Sequence, residues 1–229
     1  MIKFVSVIVF VFSTFFSFTQ NYGLNNQWYS IGPEELPSPN SNSSAKGIGP
    51  IEFIRTTPLE KGLLLAGSLS GGLFYSTDGG EYWLNSGSDN WIYSTSTWAD
   101  FYPDNQNVWF ASSHEKGCKS GKGELGYFGG LQRTLDKGVS WGKIGDYKSF
   151  GGARQVKIYK TVFHPGQPKK MYVVTSKGLF YTNDCLADEV KWIKDKITTG
   201  ETFDLIFVGN RMFVSTKYKN QWVLRCDTK

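Results

Sequence analysis

An internal repeat constrains the fold of this chain more than any other feature of its 229 residues. Gly72–Trp83 and Gly130–Trp141 align along their whole length, and Gly178–Cys185 keeps the first half of the pattern before the sequence diverges ahead of Trp192. An apolar segment and, before it, a proline-marked turn precede each copy. Each unit is therefore predicted to contain short strands joined by tight turns, and such units bury a core by stacking on their neighbours.

The copies share the motif Ser/Thr-x-Asp-x-Gly-x-x-Trp at the turn between the last two strands of a unit. The aspartate carboxylate can accept hydrogen bonds from amides of the turn. The glycine supplies positive φ, and the tryptophan on the return strand folds back over the turn and buries a large apolar face. We assign structural roles to these residues: Ser76, Asp78, Gly80 and Trp83 in the first copy, Thr134, Asp136, Gly138 and Trp141 in the second, and Thr182 and Asp184 in the third.

The motif resembles the Asp box, also called the bacterial neuraminidase (BNR) repeat. The wider frame, Gly71–Gly80 after a proline turn, resembles the propellers of the sortilin/VPS10-like family, and most of all those of large secreted bacterial proteins. The resemblance runs from Trp28 to the C-terminus and implies an all-β fold, a β-propeller of four-stranded blades. The third box departs from the pattern because Cys185 replaces the spacer and no glycine follows, which leaves its turn geometry open.

About four blades are expected: 51–87, 92–147, 156–196 and a partial fourth blade, 202–229, that lacks its outer strand. Residues 20–50 are predicted to be an N-terminal outer strand and a polar linker, because Trp28–Gly32 matches the Trp-x-x-Ile-Gly of an outer strand. This strand either completes the fourth blade and closes a four-bladed ring or belongs to a later blade of a longer propeller. We favour a fragment of a longer propeller, because repeat arrays normally end in atypical capping units.

Residues 1–19 have the layout of a cleaved secretory signal peptide. Lys3 precedes an apolar run from Phe4 to Phe18, and small residues lie just before Gln20. The run is shorter than the ~20 residues that span a bilayer. We therefore expect a secreted or cell-surface protein with no membrane span in the mature chain.

Composition argues against several classes of function. The formal net charge is +5, a bias too small to imply nucleic-acid binding. The small numbers of histidines, two, and cysteines, three, argue against a metal site with several such ligands, and no cofactor is expected. The odd number of cysteines leaves at least one without a partner in the chain, and the spacing of Cys118, Cys185 and Cys226 leaves all three intramolecular pairs open.

Two kinds of glycoside hydrolase carry Asp boxes, and the sequence favours neither. Sialidases with such boxes use an Arg-Ile-Pro motif, an arginine triad and a Tyr–Glu pair, whereas the nearest stretch here, Phe53–Pro58, displaces Arg55. A xyloglucan-cleaving hydrolase would need two carboxylates ~5–10 Å apart, and nothing in the sequence pairs Asp100, Glu115 and Glu124. We therefore assign no catalytic residue.

The second unit has an insertion between Ala111 and Gly129 that is longer than its counterparts. It joins the second and third strands, which places it on the face opposite the Asp-box turns, and long loops on one face of a repeat protein often bind ligands. The alternative is a flexible glycine-rich excursion. The candidate ligand residues are His114, Lys116, Lys119, Lys122, Tyr127 and Phe128.

The function predicted from these features is an extracellular propeller that binds a protein, a peptide or a glycan without catalysis. The alternative is a glycoside hydrolase whose catalytic residues lie mostly outside this chain, and a third possibility is a purely architectural repeat. An aromatic cluster before the second unit is expected to pack between blades rather than to stack on sugars; it comprises Trp91, Tyr93, Trp98, Phe101 and Tyr102.

Overall fold

The computed structural model describes residues 49–93, 95–114, 127–196, 198, 200–218 and 221–227. Within these ranges the chain forms four antiparallel sheets, each with its strands in chain order, and one short 3-10 turn, Ser88–Asn90. All of the described residues belong to one compact unit, Ile31–Lys229. The predicted all-β propeller fold with four-stranded blades is confirmed.

We call the sheets blades 1 to 4. Blade 1 contains β1 (Ile51–Thr56), β2 (Leu64–Ser68), β3 (Gly72–Ser76) and β4 (Leu84–Asn85). Blade 2 contains β5 (Ala99–Tyr102), β6 (Asn105–His114), β7 (Phe128–Thr134) and β8 (Gly142–Gly145). Blade 3 contains β9 (Ile158–His164), β10 (Gln167–Thr175), β11 (Gly178–Thr182) and β12 (Ile193–Lys194). Blade 4 has three strands within the described residues, β13 (Thr202–Val208), β14 (Arg211–Tyr218) and β15 (Gln221–Asp227).

The second strand of a blade carries a run of buried apolar residues rather than an alternating pattern. Val108–Ala111 on β6 and Met171–Val174 on β10 are buried at every position. A strand has such a continuous apolar run when both faces of its sheet are covered. The middle of each of these blades is therefore packed on both sides.

Three apolar clusters fill the spaces between consecutive blades. The first joins Leu65 and Leu73 of blade 1 to Phe101 and Trp109 of blade 2. The second joins blade 2 to blade 3 through Phe110, Leu131, Phe150, Met171, Val173 and Phe180. The third joins blade 3 to blade 4 through Val174, Leu179, Leu205, Met212 and Val214. The core is thus a series of blade-to-blade interfaces.

The innermost strand of each blade contacts its counterpart in the next: β1 lies against β5, β5 against β9, and β9 against β13. Side chains from different blades therefore meet along these four strands. No helix among the described residues is long and apolar enough to cross a membrane. The predicted signal peptide and the Trp28–Gly32 strand lie outside the described residues.

Candidate functional site

The first Asp-box turn is held by its own side chains. The buried hydroxyl of Ser76 donates to Asp78 Oδ1 at 2.7 Å and accepts the amide of Gly80 at 2.9 Å. Asp78 Oδ1 also accepts the amide of Tyr82 at 3.0 Å. The hydrogen bonds from Ser76 and Tyr82 lower the pKa of Asp78. Its carboxylate therefore serves as a hydrogen-bond acceptor that stabilises the turn.

The second box has the same arrangement. Thr134 Oγ1 donates to Asp136 Oδ1 at 2.6 Å and accepts the amide of Gly138 at 2.9 Å, and Asp136 accepts the amide of Ser140 at 2.8 Å. Although burial alone would raise the pKa of Asp136, hydrogen bonds from Ser140 and Thr134 lower it. Gly138 has φ +84° and would place a Cβ 2.9 Å from the ring of Trp109, so glycine is required by conformation and by packing.

The third box keeps only part of this network. The amide of Asp184 donates to Thr182 Oγ1 at 3.3 Å, and Asp184 Oδ1 accepts the amide of Leu186 at 2.9 Å. Cys185, at the spacer position, is a free and fully buried thiol, and burial raises its pKa to about 12. It forms no disulfide, while Cys226 is exposed and Cys118 lies outside the described residues.

One contact is common to all three boxes. The amide that follows the aspartate donates to a carbonyl oxygen at the beginning of the second strand of the same blade, or just before it, at 3.0, 2.9 and 2.9 Å. The pairs are Gly79 with Gly62, Lys137 with Asn107, and Cys185 with Lys169. Each box turn therefore fastens one end of its blade even where the motif has degenerated.

The tryptophans of the second and third boxes contact the preceding blade, an interaction that the motif alone did not predict. Trp141 Nε1 donates to the carbonyl oxygen of Ser86 at 2.6 Å, and Trp192 Nε1 donates to that of Ile144 at 2.8 Å. Trp83 instead donates to Gly80 of its own turn at 3.0 Å. The motif alone could not distinguish a contact within a blade from one between blades.

The insertion divides into buried flanks and a middle that lies outside the described residues. His114 is fully buried, and neither ring nitrogen has a hydrogen-bond partner among the described residues. Burial lowers its pKa to about 3, and its ring lies 5.1 Å from that of the buried Phe128. These two side chains support the sheet and do not face solvent. Tyr127 is exposed, while Lys116, Lys119 and Lys122 are outside the described residues.

A second group of side chains, which we call the inner-strand cluster, lies along β1, β5, β9 and β13 and at the residue just before β5. It consists of Arg55, Trp98, Asp100, Lys160 and Asp204. The Cζ atom of Arg55 lies 3.7 Å from the centroid of the Trp98 ring, and Trp98 Nε1 donates to Thr161 Oγ1 at 3.0 Å. Trp98 therefore connects blades 1, 2 and 3.

Opposite charges continue across the cluster. Desolvation raises the pKa of Asp100 to about 6, although the hydrogen bond from the Phe101 amide and the positive charges of Arg55 and Lys160 act to lower it. Lys160 Nζ lies 2.7 Å from Asp204 Oδ1. Beside this pair, Tyr159 donates a short hydrogen bond of 2.5 Å to Glu201. Burial and this bond raise the pKa of Tyr159, so its hydroxyl keeps its proton.

The arrangement is suited to binding charged or hydroxylated groups, since it offers both signs of charge and an aromatic ring. A Tyr–Glu pair is present, and three of the arginines make other contacts. Arg55 stacks on Trp98, Arg133 donates to the carbonyls of Cys185 and Ala187, and Arg154 lies over Tyr147. No group of three metal-ligating side chains occurs among the described residues.

No protein-family model matches this sequence, and no curated protein matches it either. Several solved structures are similar to it. An ancestral GH74 enzyme is 16% identical, with a TM-score of 0.55 over 74% of this chain and 23% of that one. The GH74 xyloglucanase from Xanthomonas campestris is 14% identical, with a TM-score of 0.55 over 78% and 29%. The extracellular domain of BT4673 from B. thetaiotaomicron is 15% identical, with a TM-score of 0.54 over 82% and 21%.

At these identities the likeness shows the fold alone, a β-propeller. The chain spans less than a third of the length of each of these three structures. The sequence analysis considered Arg55 and Asp100 separately and did not consider Lys160. Aligning the inner strands of the repeat would have brought them together, because they occupy neighbouring register positions on β1, β5 and β9.

Proposed function

We propose that this chain is part of a non-catalytic propeller that binds an extracellular protein, peptide or glycan, and that it forms the N-terminal part of a longer secreted or cell-surface protein. Residues 1–19 are the signal peptide in this proposal. Its box turns are Asp boxes, or BNR repeats, of the sortilin/VPS10-like type.

The inner-strand cluster is the observation that carries this proposal. Four blades contribute charged side chains to one place, and Asp100 is half-buried without an ion pair of its own within 4.0 Å among the described residues. Strongly perturbed groups beside a specific charge partner are concentrated at functional sites. Two likenesses support an extracellular location. One similar structure, that of BT4673, is an extracellular domain, and the box motif resembles the propellers of large secreted bacterial proteins. We also propose that Tyr127 and the lysines of the insertion contact a ligand.

Screening the purified chain against glycan and peptide panels by thermal shift tests this function. A ligand present at 100 times its Kd raises the unfolding free energy by about 2.7 kcal/mol, which a melting curve resolves. Asp204→Lys reverses an exposed charge beside Lys160 and is expected to change the affinity of a ligand that contacts the cluster. The matched control, Asp104→Lys, changes an exposed aspartate in the hairpin between β5 and β6 and is expected to have no effect.

Two results would contradict the proposal. If no member of either panel shifts the melting temperature, the chain is an architectural repeat. If the full-length protein hydrolyses fluorogenic sialosides or xyloglucan, it is a glycoside hydrolase.

A further inference from the structure

Charge is distributed unevenly among the blades. Residues 142–196, which comprise β8, blade 3 and the connection between them, carry ten lysines and one arginine against five carboxylate side chains. Residues 49–93, the described part of blade 1, carry two cationic side chains against five carboxylates. The small net charge of the whole chain therefore results from a strongly basic region and an acidic region that partly cancel.

The basic side chains of blade 3 meet at one end of its sheet because the strands are antiparallel. Lys177 lies in the turn between β10 and β11, and Lys194 is the last residue of β12, which runs back to the same end. A Cβ atom on Gly178, the first residue of β11, would lie 3.3 Å from Cε of Lys194. Both lysines therefore lie next to Gly178.

The connection between blades 2 and 3 adds cations at the same end. It contains Lys148 and Arg154, and a Cβ atom on its Gly151 would lie 3.1 Å from that of Lys177. The carbonyl oxygen of Arg154 accepts the amide of Phe128, the first residue of β7, at 2.8 Å. We call the exposed cationic side chains of this region the basic patch; it comprises Lys143, Lys148, Arg154, Lys177, Lys194 and Lys196.

The basic patch is a property of blades 2 and 3 and not of the repeat itself. Lys143 on β8, Lys194 on β12 and Asn85 on β4 are paired with equivalent residues of the neighbouring strands, so they occupy the same position of the repeat. Two of the three outer strands thus carry an exposed lysine where the first has an amide. Since asparagine is compatible with the fold at this position, the lysines are not needed to form a blade.

Neighbouring carboxylates do not neutralise the basic patch. None of its six cations makes an ion pair within 4.0 Å with a described residue. Asp146, in the same connection, uses its Oδ1 atom to accept the amides of Lys148 and Ser149, and Asp195, after β12, is buried. A surface with an excess of one sign of charge attracts a ligand of the opposite sign.

The kinds of side chain in the basic patch favour sulfate groups over carboxylates and phosphates. Five of the six cations are lysines, whose ammonium groups act as point charges, whereas the planar fork of arginine matches two oxygens of a carboxylate or phosphate. Proteins that bind single-stranded nucleic acid offer aromatic rings on which bases stack. Here Phe150 and Phe180 are buried, and the guanidinium of Arg154 lies over the ring of Tyr147.

We propose that the basic patch binds an extracellular sulfated polysaccharide. The patch shares no residue with the inner-strand cluster, so it is a second binding surface. The inference rests on the proposed function for the extracellular location alone. Ionic contacts with a sulfated chain displace counterions and are screened by salt, so the affinity falls as the salt concentration rises.

Isothermal titration calorimetry of the full chain with chondroitin sulfate tests this proposal. The comparison ligands are unsulfated chondroitin, which keeps the uronic carboxylates, and a single-stranded DNA of equal total charge. Chondroitin sulfate is expected to bind at least about tenfold tighter than either. Its affinity is expected to fall at least about tenfold between about 50 mM and about 200 mM NaCl, because several ionic contacts form together.

Charge reversals locate the binding surface. The double variant Lys177→Glu/Lys194→Glu is expected to bind chondroitin sulfate at least about tenfold more weakly than the wild type. The matched control, Lys61→Glu/Lys191→Glu, changes the net charge by the same amount at exposed positions at the opposite end of blades 1 and 3. It is expected to bind within about twofold of the wild type, since the two sites are separated by more than a Debye length of ~8 Å. Circular dichroism of both variants checks that the fold is retained.

Four results overturn the proposal: no binding of chondroitin sulfate at the lower salt concentration, binding that does not weaken with salt, equal binding of chondroitin or DNA, or equal losses in the control and patch variants. The proposed function is decided separately. A panel ligand that still raises the melting temperature of Lys177→Glu/Lys194→Glu leaves the binding module in place without this surface.

Discussion

Lys137 has a left-handed backbone with φ 56°, the one non-glycine residue with positive φ among those described. It follows the aspartate of the second box, and the first box has Gly79 at the same place with φ 83°. For a residue with a Cβ this conformation costs about 1–2 kcal/mol. The hydrogen bond of its amide to Asn107 and the 2.6 Å ion pair of its ammonium group with Glu60 hold it there.

A protein with glycine at position 137 is expected to be more stable than one with alanine there. Lys137→Gly and Lys137→Ala both lose the ion pair, but only glycine is free of the left-handed penalty. The glycine variant is expected to exceed the alanine variant by about 1 kcal/mol in the free energy of unfolding, as measured by urea denaturation. Equal stabilities would mean that the turn adopts another conformation once the lysine is removed.

The box aspartates are expected to differ in their contribution to stability. Asp136→Ala removes the acceptor of hydrogen bonds from Thr134 and Ser140 and is expected to cost about 1–2 kcal/mol. Asp184→Ala removes the acceptor for Leu186 and a 3.5 Å contact with Lys169, and it is expected to cost about half as much. Urea unfolding of both variants measures this difference, and an equal or larger loss at Asp184 would contradict it.

At the scale of the strand and turn, the box tryptophan links one blade to the previous one. Ser86 and Ile144 stand three residues after Trp83 and Trp141, so the acceptor belongs to the outer edge of the preceding blade in both cases. Each linkage therefore uses the same position of the repeat. A motif that resembles a local turn signature also sets how blades associate.

Removing the indole N–H is expected to loosen adjacent blades. Trp141→Phe leaves the Ser86 carbonyl without this donor and is expected to cost about 1–2 kcal/mol. Hydrogen exchange of the segment that includes β4 and Ser86 is expected to accelerate, since the bond crosses the interface. Trp83→Phe is the matched control, because the indole N–H of Trp83 donates to Gly80 of its own turn. Faster exchange in blade 1 with Trp83→Phe but not with Trp141→Phe would refute the interblade role.

At the scale of the whole molecule, stability comes from interfaces between neighbours. Blades 2 and 3 each take part in two of the three apolar clusters, whereas blade 4 takes part in one. Ile206, Val208 and Leu224 of blade 4 are exposed. In arrays of this kind, stability is close to a sum of the units and their nearest-neighbour interfaces.

Blade 4 is therefore expected to open before blades 2 and 3. Native-state hydrogen exchange with mass spectrometry should find β14 less protected than β6 and β10, because its sheet has an interface on one side among the described residues. Uniform protection along these three strands would mean that the blades unfold as one cooperative unit, contrary to this expectation.

Much of the fold was predictable because the repeat is a local signal. A buried hydroxyl, an aspartate and a glycine at fixed spacing satisfy one another within a single turn, so Ser76, Asp78 and Gly80 can be interpreted without knowing what surrounds them. The unbroken apolar run at Val108–Ala111 likewise predicts a strand covered on both faces. The candidate site was less predictable because its members come from four different strands.

By itself, the sequence determined the succession of strands and turns and the likeness of its units, since both depend on hydrogen bonds and hydrophobic patterning over short distances. Only the tertiary structure decided that Trp141 and Trp192 bind the preceding blade, that His114 and Phe128 are buried, and that Arg55, Asp100 and Lys160 share one region. The physical reason is that burial and electrostatic interaction depend on which blades become neighbours. The stacking of the inner strands establishes that neighbourhood, and no single repeat encodes it.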